Sequence, residues 1–322
     1  MSMNVFVAGG TGVLGRASLR ALVEAGHRVR STARGKEKSE LVRSLGAEPV
    51  EVDLFDPRAA CRAIAGSDAV LRLTTKIGSM AKLRDPRTWA ETIRLRTIGA
   101  HILVDAAIAE RVPLYIHESV SLVYAEGGEN WLSEDSRTDD GGTAILRATL
   151  EGEQEADRFT KQGGRGIALR FGGFYAADAP STTETIALMR RRMMARIGAA
   201  SNYFSSIYVP DAGRAVAAAL DIPAGIYNVV DDRPVRFAEY LGDLARAIGA
   251  PKPFRLPAIV GKWMFGDVWK YISRSLRVSN ARLKEVSGWK PDVESVAEGW
   301  ALVAAELNLE DRKRHLVPHA QG

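Results

Sequence analysis

Three hydroxyl side chains lie close together in the segment HESVSLVYA, which begins at residue 117: Ser119, Ser121 and Tyr124. The apolar run PLYI precedes the segment and has the composition of a buried strand. A hydroxyl held at the end of such a strand can exchange a proton with a carbonyl or an alcohol. The segment therefore predicts a proton-transfer site, provided that the surrounding elements position it for that chemistry.

Strand and helix patterns alternate along the first half of the chain. The predicted strands are Asn4–Ala8, His27–Thr32, Pro49–Leu54, Ala69–Leu73, Pro113–His117 and Gly166–Phe171, and the clearest predicted helices are Thr88–Ala109 and Ala144–Lys161. This alternation is typical of an α/β fold with a doubly wound parallel sheet, which is Rossmann-like.

The segment GGTGVLG lies between the first predicted strand and the first predicted helix. Its glycines allow a tight turn and a close backbone approach to a pyrophosphate, and the helix N-terminus offers free N–H groups. In this strand–loop–helix context the GxxGxxG spacing predicts dinucleotide binding. The predicted loop contacts are Gly9, Thr11, Gly12, Val13, Leu14 and Gly15.

The charges that follow the second predicted strand indicate which dinucleotide is bound. An NAD(H) site usually has Asp or Glu there for the ribose 2′-hydroxyl, yet residues 25–36 contain no acid. Strand alternation predicts that Arg28 and Arg30 form a solvated face. Arg34 follows the strand, where a guanidinium can bind a 2′-phosphate in a bidentate way. NADP(H) is therefore favoured over NAD(H).

The alternation weakens beyond residue 171. The predicted helices there are Thr183–Arg196, Ala212–Leu220, Phe237–Ile248, Ala258–Ser273 and Val296–Leu307. We therefore predict a dinucleotide-binding domain over residues 1–171, to which some later segments return. A smaller mixed α/β substrate lobe is predicted over residues 172–309, followed by a polar, frayed tail over 310–322.

Composition and charge exclude several classes of protein. The 322 residues are 46% hydrophobic and 26% charged, and the net charge of +5 is spread along the chain, as in solvated helix faces and unlike a nucleic-acid site. The single cysteine, Cys61, cannot form an internal disulfide, so a reducing cytoplasm is expected. Neither a signal peptide, a membrane span nor a metal cluster is predicted.

Motifs along nearly the whole chain resemble the extended short-chain dehydrogenase/reductases, which include NAD-dependent epimerases and dehydratases. These motifs are Gly9–Gly15, Val52–Leu54, Leu169-Arg170, Phe174-Tyr175, Val209–Asp211, Gly225–Val230 and Gly288–Pro291. The resemblance implies further cofactor contacts from Asp53, which would reach the adenine, and from Leu54 and Thr74.

The resemblance also implies a catalytic Tyr and Lys with the spacing Y-x-x-x-K, in which the Lys lowers the pKa of the Tyr. The dipeptide Gly152-Glu153 resembles the marker that follows this pair, which places the Lys position at Thr149 and the Tyr position at Ile145. No Y-x-x-x-K occurs between residues 116 and 165. The chain is thus identified as an atypical member without the pair.

The accompanying Ser or Thr position falls on Val120, between Ser119 and Ser121, when it is counted from Tyr124. The candidate catalytic residues are Ser119, Ser121, Tyr124 and Tyr175.

Two charged residues each admit two roles. Glu118 is either an acid/base or a partner of loop backbone. Arg96, where the family often has Asn, either points toward the substrate or lies on a rotated polar edge of its helix.

These observations predict an NADP(H)-dependent oxidoreductase that acts on a small organic carbonyl or alcohol. A redox-neutral isomerase, dehydratase or cyclase on the same fold, or a non-enzymatic NADP(H)-sensing protein, are the alternatives. The expected partner is a small-molecule substrate, without nucleic acid or membrane. The aromatic run Trp263–Tyr271 favours lobe packing or a homodimer contact over a membrane-surface helix.

Overall fold

The structure, a computed structural model, describes residues 1–75, 85, 87–198 and 201–316, and for residues 309–316 the backbone alone. The strands are β1 (Asn4–Ala8), β2 (Arg28–Thr32), β3 (Glu48–Val50), β4 (Ala69–Arg72), β5 (Leu114–Val120), β6 (Trp131–Leu132), β7 (Arg165–Phe171), β8 (Gly173–Tyr175), β9 (Ala195–Ile197), β10 (Tyr203–Phe204), β11 (Ser206–Tyr208), β12 (Gly225–Val229), β13 (Val235–Arg236), β14 (Phe254–Leu256) and β15 (Arg277–Val278).

The α-helices are α1 (Val13–Glu24), α2 (Lys36–Ser44), α3 (Pro57–Ile64), α4 (Arg87–Arg94), α5 (Ala100–Ala109), α6 (Ala144–Lys161), α7 (Pro180–Arg190), α8 (Val209–Ala218), α9 (Phe237–Ala247), α10 (Ala258–Phe265), α11 (Trp269–Ile272), α12 (Ala281–Ser287) and α13 (Val296–Leu316). A π-helical turn, Leu95–Gly99, joins α4 to α5, and 3₁₀ turns lie at Ser121–Val123, Ala219–Asp221 and Gly266–Val268.

Seven strands form one parallel sheet in the order β3-β2-β1-β4-β5-β7-β12. The predicted doubly wound, Rossmann-like sheet is confirmed. The direction of winding reverses between β1 and β4, so the carboxyl ends of these strands border the crevice where such sheets bind ligands. The edge strand β12 comes from the second half of the chain and pairs with β7.

Helices cover both faces of this sheet. Because successive strand side chains point to opposite faces, Val5 and Val7 of β1 pack in the cluster that contains residues of α1, α2 and α8. Phe6 and Ala8 pack in the cluster that contains residues of α3, α5 and α6. Burial on both faces explains why the strands are continuous apolar runs in the sequence.

Much of the rest of the second half forms a lobe with its own core, whereas α8 and α12 pack on the main sheet. Tyr175, Leu241, Leu244 and Trp300 belong to one buried cluster, and α9 packs against α13. Four two-stranded sheets, β8–β11, β10–β13, β9–β14 and β6–β15, complete the lobe.

Three predicted boundaries are corrected by the structure. The helix predicted over Thr183–Arg196 ends at Arg190, because Arg192 adopts a φ of 59°, which an α-helix cannot continue. The strand predicted over Pro49–Leu54 ends at residue 50. The helix predicted over Val296–Leu307 continues to residue 316, and residues 317–322 lie outside the described ones.

Candidate active site

The glycine loop joins the carboxyl end of β1 to α1 and brings backbone against backbone. Gly9 has a φ of 100°, and a Cβ on it would lie 2.6 Å from the Leu73 carbonyl oxygen. A Cβ on Gly15 would lie 2.1 Å from the Gly9 carbonyl oxygen. The Gly9 N–H donates to the Thr32 hydroxyl at 2.9 Å, which fixes the loop to β2. The loop therefore requires glycine at both positions and presents backbone amides to the crevice.

The first turn of α1 fits an anion. Gly12 caps the helix with an extended backbone and without a side-chain hydrogen bond, and the turn contains no acid. The N–H groups of this turn, including those of Val13 and Leu14 after Thr11, have no partner within the helix, and the helix dipole there favours negative charge. Beside the loop, the buried Thr74 hydroxyl has no hydrogen-bond partner among the described residues. These features fit a bound pyrophosphate.

Charge at the end of β2 is positive. Arg34 is exposed just beyond the strand and, over the described part of the chain, forms no ion pair. Arg30, in contrast, donates to the Ala65 carbonyl oxygen at 2.9 Å. Asp53 is exposed and accepts a backbone N–H of its own turn at 3.0 Å, while Leu54 is buried. Arg34 is therefore available to an anionic ligand.

Three charged side chains are buried at the carboxyl ends of β4 and β5. The Arg72 guanidinium lies 3.6 Å from one Glu118 carboxylate oxygen, and Arg96 lies 3.4 Å from the other. Glu118 also accepts the Thr75 hydroxyl, while Arg72 donates to the Thr74 carbonyl oxygen at 2.6 Å. Burial lowers the pKa of Arg72 to about 10, so this side chain remains a cation at neutral pH. Glu118 is engaged on both oxygens, which disfavours the acid/base role.

Arg96 comes from the π-helical turn. Such a turn inserts one residue into the helix and rotates the following side chains by about 100° relative to an uninterrupted α-helix. The guanidinium is 3% exposed, and its Nη1 donates to the Thr149 hydroxyl of α6. Of the two roles predicted for Arg96, the structure supports the inward-pointing cation. It places a positive charge beside Thr149, the position at which the resemblance implies a lysine.

A second buried ion pair joins α6 to β7. Arg170 donates two hydrogen bonds to Glu153, at 2.8 and 2.7 Å, and the Ser119 hydroxyl donates to the same carboxylate. In the sequence, Gly152-Glu153 and Leu169-Arg170 are two separate motifs, and the pairing of their charged residues is not predicted. The opposite charges of Glu153 and Arg170 in these two motifs are the signal from which the ion pair could have been predicted.

Gly152 makes room for a histidine of β5. A Cβ on Gly152 would lie 2.3 Å from Nε2 of His117, which is fully buried. Burial lowers the pKa of His117 well below its usual value, so the ring is neutral. The Tyr115 hydroxyl lies 3.3 Å from its Nδ1. His117 therefore packs β5 against α6 and is not placed for acid/base chemistry.

The four predicted catalytic hydroxyls are not brought together. Ser119 is held by the carboxylate described above, and Tyr124 donates to an asparagine of β12 at 2.8 Å. Tyr175 lies in the lobe core and donates to Asp231 at 3.1 Å, and burial raises the pKa of both tyrosines. These contacts disfavour Ser119, Tyr124 and Tyr175 as proton donors. Ser121 is buried, and its hydroxyl has no partner within the described ranges.

The described residues carry neither a metal cluster nor a membrane-spanning helix. No group of three or more His, Cys, Asp or Glu side chains in them could hold a metal ion. No helix in this part of the chain combines the length and the apolar character that a membrane crossing needs.

The seven-stranded sheet, together with the glycine loop at the start of α1, defines a dinucleotide-binding protein of the Rossmann class. Comparison with known proteins identifies the family. The profile of the NAD dependent epimerase/dehydratase family matches residues 5–229. The chain belongs to this family.

Relatives of the chain include two proteins named as reductases. The 3-diazoavenalumate denitrifying reductase of a Streptomyces species is 31% identical over 317 residues, covering 92% of this chain and 99% of that protein. The 2-alkyl-3-oxoalkanoate reductase of Stenotrophomonas maltophilia is 25% identical, covering 78% of this chain and 77% of that protein. The structure of human epimerase family protein SDR39U1 with NADPH has the same fold, with a TM-score of 0.78 and 20% identity over 96% of this chain and all of that one.

Proposed function

We propose that this chain is an NADP(H)-dependent oxidoreductase that reduces a small organic carbonyl compound or oxidises the corresponding alcohol. The observation that carries the proposal is the exposed Arg34, which forms no ion pair with the described residues and lies near a glycine loop whose Gly12 cap makes no side-chain hydrogen bond. An acid that would repel a 2′-phosphate is absent from residues 25–36. The names of the two related reductases support hydride transfer over a redox-neutral reaction.

Each part of the crevice has a role in this proposal. The loop amides hold the pyrophosphate, Arg34 binds the 2′-phosphate, and Asp53 with Leu54 borders the adenine. When bound, the nicotinamide supplies a hydride to the substrate carbon. The two buried cations Arg72 and Arg96 outnumber the single Glu118 carboxylate between them, so the wall at the ends of β4 and β5 carries a net positive charge. Such a wall stabilises negative charge that develops on a substrate oxygen.

A second candidate is the reductive removal of nitrogen from a diazo compound. The Streptomyces relative, whose name states such a reaction, aligns over 99% of its length. For an aryl diazonium ion, the hydride would form a C–H bond while dinitrogen departs with the electrons of the broken C–N bond. This reaction needs no proton, whereas carbonyl reduction needs a proton on oxygen, so the requirement for a proton donor separates the two candidates.

Nucleotide binding tests the cofactor part of the proposal. We expect NADPH to bind more tightly than NADH, and Arg34→Ala to weaken NADPH binding by about 10- to 100-fold, the value of one charged hydrogen-bonded contact. Binding of NADH should stay unchanged. Arg28→Ala is the matched control, because Arg28 is exposed at the start of the same strand. Equal affinities of the wild type for both nucleotides would contradict the assignment.

Turnover tests the chemistry. Wild-type protein with NADPH and a panel of small ketones, aldehydes and diazo compounds is followed by the nicotinamide absorbance. Oxidation of NADPH that depends on a carbonyl compound supports the first candidate, and nitrogen release supports the second. Conversion of a substrate without net NADPH consumption would instead indicate a redox-neutral enzyme.

A further inference from the structure

Among the described residues, the Arg96 guanidinium has hydrogen-bond partners on its two Nη atoms and none on its Nε. Its Nη atoms contact Thr149, Thr75 and Glu118. Its Nε is buried and has no hydrogen-bond partner within the described residues. The positive charge of a buried guanidinium lowers the pKa of an acidic group that lies near it.

Such a group comes from the C-terminal lobe. Tyr271 of α11 is 3% exposed and belongs to the same apolar cluster as Ile145, with Val120 packed against that cluster. The helix α11 packs against the 3₁₀ turn that contains Ser121. Tyr271 thus belongs to the cluster that contains Ile145, where the resemblance implies a tyrosine, and that Val120, where it implies a serine, packs against.

The Tyr271 hydroxyl differs from those of Tyr124 and Tyr175. Those two donate to buried side-chain oxygens, whereas that of Tyr271 has no hydrogen-bond partner in the described parts of the chain. Burial raises the pKa of Tyr271 to about 12, and the positive charge of Arg96 opposes this rise. Arg96 contacts Thr149, one turn of α6 after Ile145, and Ile145 shares the buried cluster of Tyr271. A buried phenol in the neighbourhood of a cation and without an acceptor among the described residues is suited to give its proton to a ligand oxygen.

We infer that Tyr271 is the proton donor of this site and that Arg96 is the positioning residue that supplies its positive charge, an inference that rests on the proposed carbonyl reduction. In that reduction a bound nicotinamide would supply the hydride for the new C–H bond, and the carbonyl π electrons would move to oxygen. That oxygen takes the Tyr271 proton while Ser121 hydrogen-bonds to it. The resulting phenolate then takes a proton from water.

Turnover of Tyr271→Phe tests the donor directly. We expect kcat to fall by about 10²- to 10⁴-fold, the usual contribution of a positioned general acid, with NADPH affinity unchanged. Tyr227→Phe is the matched control, because Tyr227 is equally buried and its hydroxyl donates to the Pro223 carbonyl oxygen in the edge-strand region. Near wild-type kcat in Tyr271→Phe would overturn the inference.

A second measurement is independent of turnover. Fluorotyrosine, whose phenol is more acidic, is incorporated throughout the protein, and the Tyr271 resonance is assigned by its loss in Tyr271→Phe. We expect Arg96→Met to raise the pKa of this phenol relative to the wild type, and Arg96→Lys to keep most of the wild-type value, because a charge is retained. Arg96→Gln serves the same purpose if Arg96→Met does not fold.

The two measurements separate two failures. An unchanged phenol pKa in an uncharged Arg96 variant overturns the pairing of Arg96 with Tyr271. If no carbonyl compound is reduced by the wild type, the proposed function fails, and the fluorotyrosine titration still decides whether Arg96 acts on Tyr271.

Discussion

Breaking the ion pair between Glu153 and Arg170 should be costly to stability. Both side chains are nearly inaccessible, at 6% and 4% exposure, and two N–H···O bonds of 2.7–2.8 Å join them. Glu153→Gln keeps the shape and one acceptor but leaves the Arg170 charge buried and unpaired. Removal of one partner of a buried pair typically costs about 3–5 kcal/mol. We therefore expect the free energy of unfolding to fall by about that amount, measured by urea denaturation.

Matched variants make this prediction specific. Glu294→Gln breaks an exposed pair, in which Glu294 and Arg233 lie 2.8 Å apart at 51% and 66% exposure, and should cost less than about 1 kcal/mol. The double variant Glu153→Gln/Arg170→Met removes the unpaired charge and should recover about 2 kcal/mol relative to the sum of the single changes. Equal losses for Glu153→Gln and Glu294→Gln would refute the reasoning.

Two further predictions concern packing and pH. Gly152→Ala should destabilise the protein by about 1–3 kcal/mol, because the His117 ring must move. Gly242→Ala has open space around its Cβ and should raise the free energy of unfolding by up to about 1 kcal/mol. Equal unfolding midpoints for the two variants would contradict this. Burial raises the pKa of Asp231 to about 8, so the native state holds this proton more tightly than the unfolded chain. Stability should then fall as pH rises from about 4 to 8, by up to about 1.4 kcal/mol per pH unit, and Asp231→Asn should lack this slope in urea titrations. Parallel profiles for the wild type and Asp231→Asn would show that the proton is not held there.

Local patterns explain the parts of the fold that were predicted from the sequence. The glycine spacing, the buried β1 run and the helix that follows are all set by neighbouring residues, and the structure contains each of them. The prediction that no acid follows β2 likewise depends only on the residues between Ala25 and Lys36. Such features depend on turn sterics and side-chain period, which a sequence states directly.

The candidate site depends on contacts that the sequence does not state. Arg96 points inward from a π-helical turn. Such a turn adds one residue to the helix, so a regular period of 3.6 residues does not predict which way the side chain points. Tyr271 reaches the site from a part of the chain far from Ile145. Tyr175 is a candidate catalytic residue in the sequence, but the centroid of its ring lies 4.9 Å from that of Trp300 in the lobe core. Contacts between side chains that are distant in the sequence depend on the complete fold, so the sequence alone does not predict them.

The place of β12 in the sheet has a consequence for synthesis on the ribosome. When β7 has left the ribosome, its outer edge lacks a partner, and the partner strand follows only after residues 172–224 have been made. During this interval a nearly complete sheet exposes unpaired backbone groups, which can pair with another nascent chain. We expect slower translation of residues 172–224 to increase aggregation of the nascent protein, and general chaperones that cover exposed strand edges to reduce it.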